Sequence, residues 1–400
     1  MIMKNRMIVS LLAITMLVVW TAYPEDVSVD VAIARTQGQL GVNDLHAKWA
    51  AAAPEARVEL QKSLDRVCAQ KDCHASRLFW FTDLEAAKAE ARRLGRPILS
   101  LHLLGRLDEE LSCANSRFFR TLLYSDDAIS ALMRDGFVLH WHSVREVPIV
   151  TIELGGGRVI RQTITGNSAH YLLDANGTPL DVLPGLYSPA AFREQLERWV
   201  TLHRSLSPET LLAYHEERLT LTSARAAKLG LDRAMYDGQS PVWAAQRRSM
   251  SKARTEVPLL RQLQTPAAQR ANASRQAWAA YRIGEQGKND IVFSESTLRL
   301  MRSKQDLTAE LLDNLRRSVA SDTTFNEYDL HRRIHEWFAA GEVEDLQSLN
   351  ERVYDELFLT PSSDPWLGLQ SDSVFVGIEE PKIELKAAPA FLTKAPAGSL

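Results

Sequence analysis

The sequence predicts an α/β unit followed by a mostly α-helical C-terminal region, and three observations carry that expectation. Between residues 79 and 206, capped helical stretches alternate with short apolar runs that suit strands. Gly-x-Pro, Gly-Gly-Gly and Asn-Gly steps punctuate them where turns belong. From Ser207 to about Phe358 almost every segment keeps the helical period, and no strand run of convincing length occurs. At 400 residues the chain exceeds one average domain. The expected divisions are a leader at 1–24, an N-terminal helical segment at 25–78, the α/β unit at 79–206, helices at 207–358 and an extended or disordered tail at 359–400. The helices at 207–358 form either a separate domain or an extension packed on the first.

Composition excludes few classes but does exclude one. With 45% hydrophobic and 24% charged residues, a formal net charge of -3 and no block of like charge, nothing points to nucleic acid. The amino terminus sets Lys4 and Arg6 before a charge-free run over residues 7–24, closed by Glu25 and Asp26, which is the pattern of an export signal. Trp20 and Tyr23 crowd the small-residue positions that a signal peptidase prefers, and the Ala32-Ile33-Ala34 match lies too far downstream. An uncleaved membrane anchor is therefore the alternative, and either reading places the rest of the chain outside the cytoplasm, periplasmic or anchored.

The elements follow in order. Residues 47–70 keep a helical pattern broken at Pro54, with Leu60, Leu64 and Val67 on one face. After the apolar "RLFWF" comes a helix with Thr82 and Glu85 as a capping box, arginines in its last turn, Gly95 as its stop and Pro97 beyond. "ILSLHLL" suits a strand buried on both faces. A helix from Cys113 to Leu123 turns Phe118, Phe119, Leu122 and Leu123 inward. A second helix is capped by Ser125 or Asp126, packs Ala128, Leu132 and Met133 inside, and ends at Gly136 before the strand "FVLHWHSV". A hairpin turns at "GGG", two more strands flank Asn176-Gly177, and a helix capped by Ser188 and started by Pro189 closes the unit.

Three cysteines remain. Cys68 and Cys73 are the natural disulfide pair in an oxidising compartment, provided the helix carrying Cys68 ends between them. Cys113 is left odd, at the start of a helix whose unpaired N–H groups favour a thiolate. Arg117 and Arg120 would add to this, and Asp108, Glu109 and Glu110 would oppose it.

The element order over residues 80–206, with the aromatic stretch, the Ala-rich helix, the Gly-x-Pro turn and "SCANSRFF" before Ser125-Asp126, resembles the thioredoxin-like superfamily in its secreted bacterial form. The resemblance implies a thioredoxin-like fold, a central mixed sheet with flanking helices, and places the two active-site motif positions on Cys113 and Ser116, a C-x-x-S variant. It further puts Ser168 where the family carries the cis-proline that faces the thiol and binds substrate. The implied activity is monothiol exchange by Cys113 with protein or small-molecule thiols and disulfides. A serine at 116 cannot resolve a mixed disulfide, so an external thiol would have to. The alternative keeps the fold as a non-catalytic scaffold or interaction module with Cys113 buried.

Other constellations are weaker. "CAQKDCH" has the wrong spacing for common haem attachment, and a structural disulfide is preferred. His331 and His335 lie i, i+4 like paired metal ligands, but with Arg332 and Arg333 between them they read as a solvated helix face. "ELGGGR" turns a hairpin and opens no phosphate loop, and no nucleophilic serine elbow occurs. No cofactor and no metal is expected.

Overall fold

The computed structural model describes residues 30–163, 167–229, 282–358 and 360. The expected leader, the prolines Pro241, Pro258 and Pro266 that punctuate the helical pattern after Ser207 in the sequence, and the tail beyond Thr360 lie outside the described residues. No helix among the described residues is long and apolar enough to cross a membrane.

Three helices come first: α1 (Val31–Thr36), α2 (Gln39–Ala51) and α3 (Pro54–Cys68). Pro54 opens α3, where its fixed φ and missing N–H suit the first turn. Leu60, Leu64 and Val67 are buried together, as their spacing predicts, and join Val42 and Leu45 of α2 in a small core. The helix stops because Ala69 turns left-handed, with φ 52°. A single turn, α4 (Cys73–Ser76), then brings Cys73 to Cys68, and the two are disulfide-bonded with Cα atoms 6.2 Å apart.

The central structure is a mixed sheet of β1 (Ile98–Leu104), β2 (Val138–Arg145), β5 (Ser168–Leu173) and β6 (Pro179–Pro184), with β3 (Ile149–Glu153) and β4 (Val159–Thr163) forming a separate hairpin. The order is β2-β1-β5-β6. β1 runs parallel to β2 and antiparallel to β5, and β6 is antiparallel to β5. Every residue of β1, β5 and β6 is buried, so both faces are covered, which is why these strands read as continuous apolar runs. Phe81, in "RLFWF", makes one parallel bridge to His140 beside β2.

The helices of this unit mostly follow their expected bounds, with two corrections. α5 (Leu84–Leu94) is capped by Asp83, whose carboxylate accepts from Ala86 N at 2.7 Å, so the Thr82–Glu85 capping box does not form. In α7 (Asp127–Gly136) Asp126 is the cap, accepting from the N–H groups of Ala128 and Ile129. Ala128 in its first turn is exposed, Ile129 and Met133 are buried, and Leu132 packs half-buried against the core. The Cys113 segment is a short helix, α6 (Ala114–Phe118), widened into a π turn at Phe119–Leu123 that buries Phe119, Leu122 and Leu123. Ser188 caps α8 (Pro189–Arg204).

The later helices are α9 (Pro208–Leu229), α10 (Glu295–Lys304), α11 (Ala309–Phe325), α12 (Arg332–Ala339) and α13 (Leu346–Arg352). π turns at Asn326–His331 and Val353–Leu357 follow α11 and α13. Their apolar residues share one continuous core with the sheet, in which Ile334, Trp337, Val353 and Tyr354 join Leu99, Tyr171 and Trp199. The contact is polar as well: Asn350 Oδ1 accepts from Tyr171 OH at 2.9 Å and meets His102 Nδ1 at 2.9 Å.

Candidate functional site

Cys113 is the N-cap of α6, held there by its own N–H donating to Leu104 O at 3.2 Å, just beyond the end of β1. Its Sγ lies 2.8 Å from Ser168 Oγ, 3.4 Å from Ser116 Oγ and 3.9 Å from Asn167 O. All three residues singled out from the sequence therefore meet at one point. Ser116 donates its hydroxyl to Cys113 O at 2.8 Å, which leaves its oxygen free to accept from the thiol. Ser168 is the first residue of β5, and its carbonyl accepts from Gly185 N at 2.9 Å. Gly185 has φ +83°, and a Cβ there would stand 2.5 Å from Asn326 Nδ2, so glycine keeps this support close to the sheet.

The thiol is fully enclosed, with 0% of Cys113 exposed, and Ser116 and Ser168 are equally buried. The cover comes from the end of the described chain. Tyr354 OH donates to Asn167 O at 3.2 Å, and Asn167 Nδ2 donates to Thr360 Oγ1 at 2.7 Å. Burial pushes the Tyr354 phenol well above its ordinary range, so it remains a donor at any physiological pH.

Arg120, Arg117 and Asp108, expected to tune the sulfur, are engaged with other groups. Arg120 is buried and donates to the carbonyls of Leu107 and Glu109 at 3.2 and 2.8 Å, tying down the loop before Cys113. Arg117 donates to Ser112 O and Thr163 Oγ1. Asp108 pairs with Arg106. The partners of Sγ are two hydroxyls and a carbonyl, none of them a base or a cation, so the geometry suits a hydrogen-bonded thiol packed in the core.

A cleft of about 440 Å³ opens elsewhere, lined by His46, Trp49, His74, Arg77, Ser125 and Arg299 among others. It stands beside the Cys68–Cys73 disulfide, and Cys113 is not part of its wall.

A second buried polar cluster corrects the reading of His331 and His335 as a solvated face. They are 1% and 0% exposed, because α12 lays Ile334 and Trp337 into the core and both histidines share that side. His331 Nε2 is 2.9 Å from Asp181 Oδ1 on β6. The other carboxylate oxygen of Asp181 accepts from Tyr214 OH at 2.6 Å and Trp199 Nε1 at 2.8 Å. His215 of α9 places Nδ1 2.9 Å from His335 Nδ1. The signal was present in "EYDLHRRIHEWF", where Leu330, Ile334 and Trp337 mark the same face as the two histidines. Asp181 and His215 carried no local signal, since only the tertiary fold brings β6 and α9 to that face.

Compared with protein-family models, curated proteins and solved structures, the chain matches none.

Proposed function

We propose that this chain is an exported thioredoxin-like protein that keeps the fold as a non-catalytic scaffold for binding other proteins. The observation that carries the reading is the enclosure of Cys113: its sulfur is fully buried among hydroxyls, and the loop opposite it is hydrogen-bonded under Tyr354 and Thr360. Thiol–disulfide exchange needs a sulfur with open access for attack on a second sulfur, and a fully buried Cys113 does not offer it. The likeness to the thioredoxin fold is supported by the mixed sheet and by the thiol at the start of the helix after a central strand. The cleft beside the disulfide, with Trp49, two histidines and two arginines, is the surface through which such a scaffold would engage a partner.

A second reading, monothiol exchange by Cys113 after the Tyr354–Thr360 cover lifts, is favoured by one distance, the 2.8 Å from Sγ to Ser168 Oγ at the position where the family binds substrate. Reduction of insulin in the presence of dithiothreitol separates the two. The scaffold reading predicts no rate above background for the natural protein, and none for Ser116→Cys, which would supply a resolving thiol three residues from Cys113. Turnover by the natural protein would overturn the scaffold reading and establish exchange.

A further inference from the structure

We propose that Asp181, His215 and His335 form a buried site for one divalent transition-metal ion, zinc by its chemistry, that locks the later helices onto the sheet. One ligand atom from each of these side chains lies within 4.8 Å of the others, and all three residues are at most 1% exposed. They come from β6, α9 and α12, three elements far apart in sequence.

The hydrogen bonding around them is that of a prepared site. His215 Nε2 is 2.9 Å from Leu180 O, so that nitrogen carries the ring hydrogen and Nδ1 presents its lone pair inward. A ring N–H given to a backbone carbonyl is how metal-binding histidines are oriented. The lone pair faces His335 Nδ1 at 2.9 Å. Two nitrogens bound tetrahedrally at zinc distances would stand about 3.3 Å apart, an opening of a few tenths of an ångström.

The described structure leaves this network incomplete. The single hydrogen of a neutral His335 lies between the two Nδ1 atoms, which leaves Nε2 a buried acceptor with no hydrogen-bond partner, and a metal bound to both Nδ1 atoms would move that hydrogen to Nε2. Asp181 is also a fully buried carboxylate, and its ion-pair partner is His331, which balances the charge only when protonated. A divalent cation held by the two Nδ1 lone pairs and the carboxylate would supply the missing positive charge. His331, hydrogen-bonded to Asp181 Oδ1, then either orients that carboxylate or completes the ligand set. Nitrogen and oxygen donors without sulfur, closed to solvent, suit structural zinc rather than calcium or magnesium, which prefer all-oxygen shells.

The experiment uses the full-length chain without a histidine tag. Elemental analysis of the purified protein should find close to one zinc per chain, and cobalt(II) added to chelator-stripped protein should give the visible bands of tetrahedral nitrogen and oxygen ligation. The thiolate-to-cobalt charge-transfer band should be absent, and Cys113→Ser should leave the spectrum unchanged. His335→Gln and Asp181→Asn should each weaken cobalt binding at least tenfold. Folded natural protein that takes up neither zinc nor cobalt stoichiometrically overturns the proposal without reference to any variant. So does a variant that keeps its circular dichroism and binds cobalt as tightly as the natural protein.

Discussion

Two buried histidines show how single residues couple this protein to pH. His170 Nε2 is hydrogen-bonded to Tyr124 OH at 2.6 Å inside the sheet, and burial pushes its pKa down to about 3. His140, 2.7 Å from Ser100 Oγ, is pushed down to about 4, by burial first and then by neighbouring His142. Both are neutral in the folded chain, whereas the unfolded chain takes up protons below about pH 6.5. Their contribution is therefore intact above that pH and is lost progressively as pH falls toward 4 and then 3. The cost is roughly 2 kcal/mol for each at pH 5. Urea denaturation should show a lower midpoint at pH 5 than at pH 7.5, and His170→Asn should flatten that dependence. A slope unchanged by the substitution would contradict the assignment of His170 as buried and neutral. At the same scale, Cys113, Ser116 and Ser168 were legible through the resemblance to the thioredoxin-like superfamily, whose pattern ties two of them to a helix start and the third to the turn that follows it. Their burial was not, because Tyr354 and Thr360, the groups that close over them, lie almost two hundred residues away from Ser168 in the chain.

At the scale of elements, local chemistry was the better guide wherever a cap or turn residue is required by the backbone itself. Ser188 before Pro189, Gly95 after α5 and Asn176-Gly177 between β5 and β6 fall where expected, since each answers a backbone need that neighbours cannot alter. The misassigned cap of α5 shows the limit: Thr82 and Asp83 are both good caps, and only the register in which Ala87 and Ala91 become buried selects Asp83. The π turn at Phe119–Leu123 left no sequence trace, because it keeps the same residues apolar while rotating them to reach the core. Asp126 offers a direct test, since it alone caps two N–H groups of α7. Asp126→Ala should cost about 1 kcal/mol, read as a shift in the urea midpoint with unchanged slope. No measurable shift would mean that another group caps the helix.

At the scale of the whole molecule, the sheet and the later helices share a core, and Asn350 carries two of the polar contacts between them. Its loss would leave Tyr171 OH and His102 Nδ1 buried without that partner. Asn350→Ala should therefore destabilise by about 2–4 kcal/mol, and the melt should remain one transition. Two separated transitions would show the later helices to be an independent domain. The helical character of that region was legible from its periodicity, but its docking was not, because Asn350, His215 and Asp181 acquire their roles only across elements. The same docking encloses the thiol, since Tyr354 and Thr360 belong to the segment that Asn350 anchors. The most direct test of the account is the rate at which a small alkylating reagent labels Cys113 in the native, non-reduced protein at neutral pH, followed across increasing urea. A core thiol reacts only when the structure opens, so labelling should be at least about 10³-fold slower than in the unfolded chain and should rise with the unfolding transition. Labelling of the native protein at the rate of a free thiol, with no dependence on urea below the transition, would contradict it.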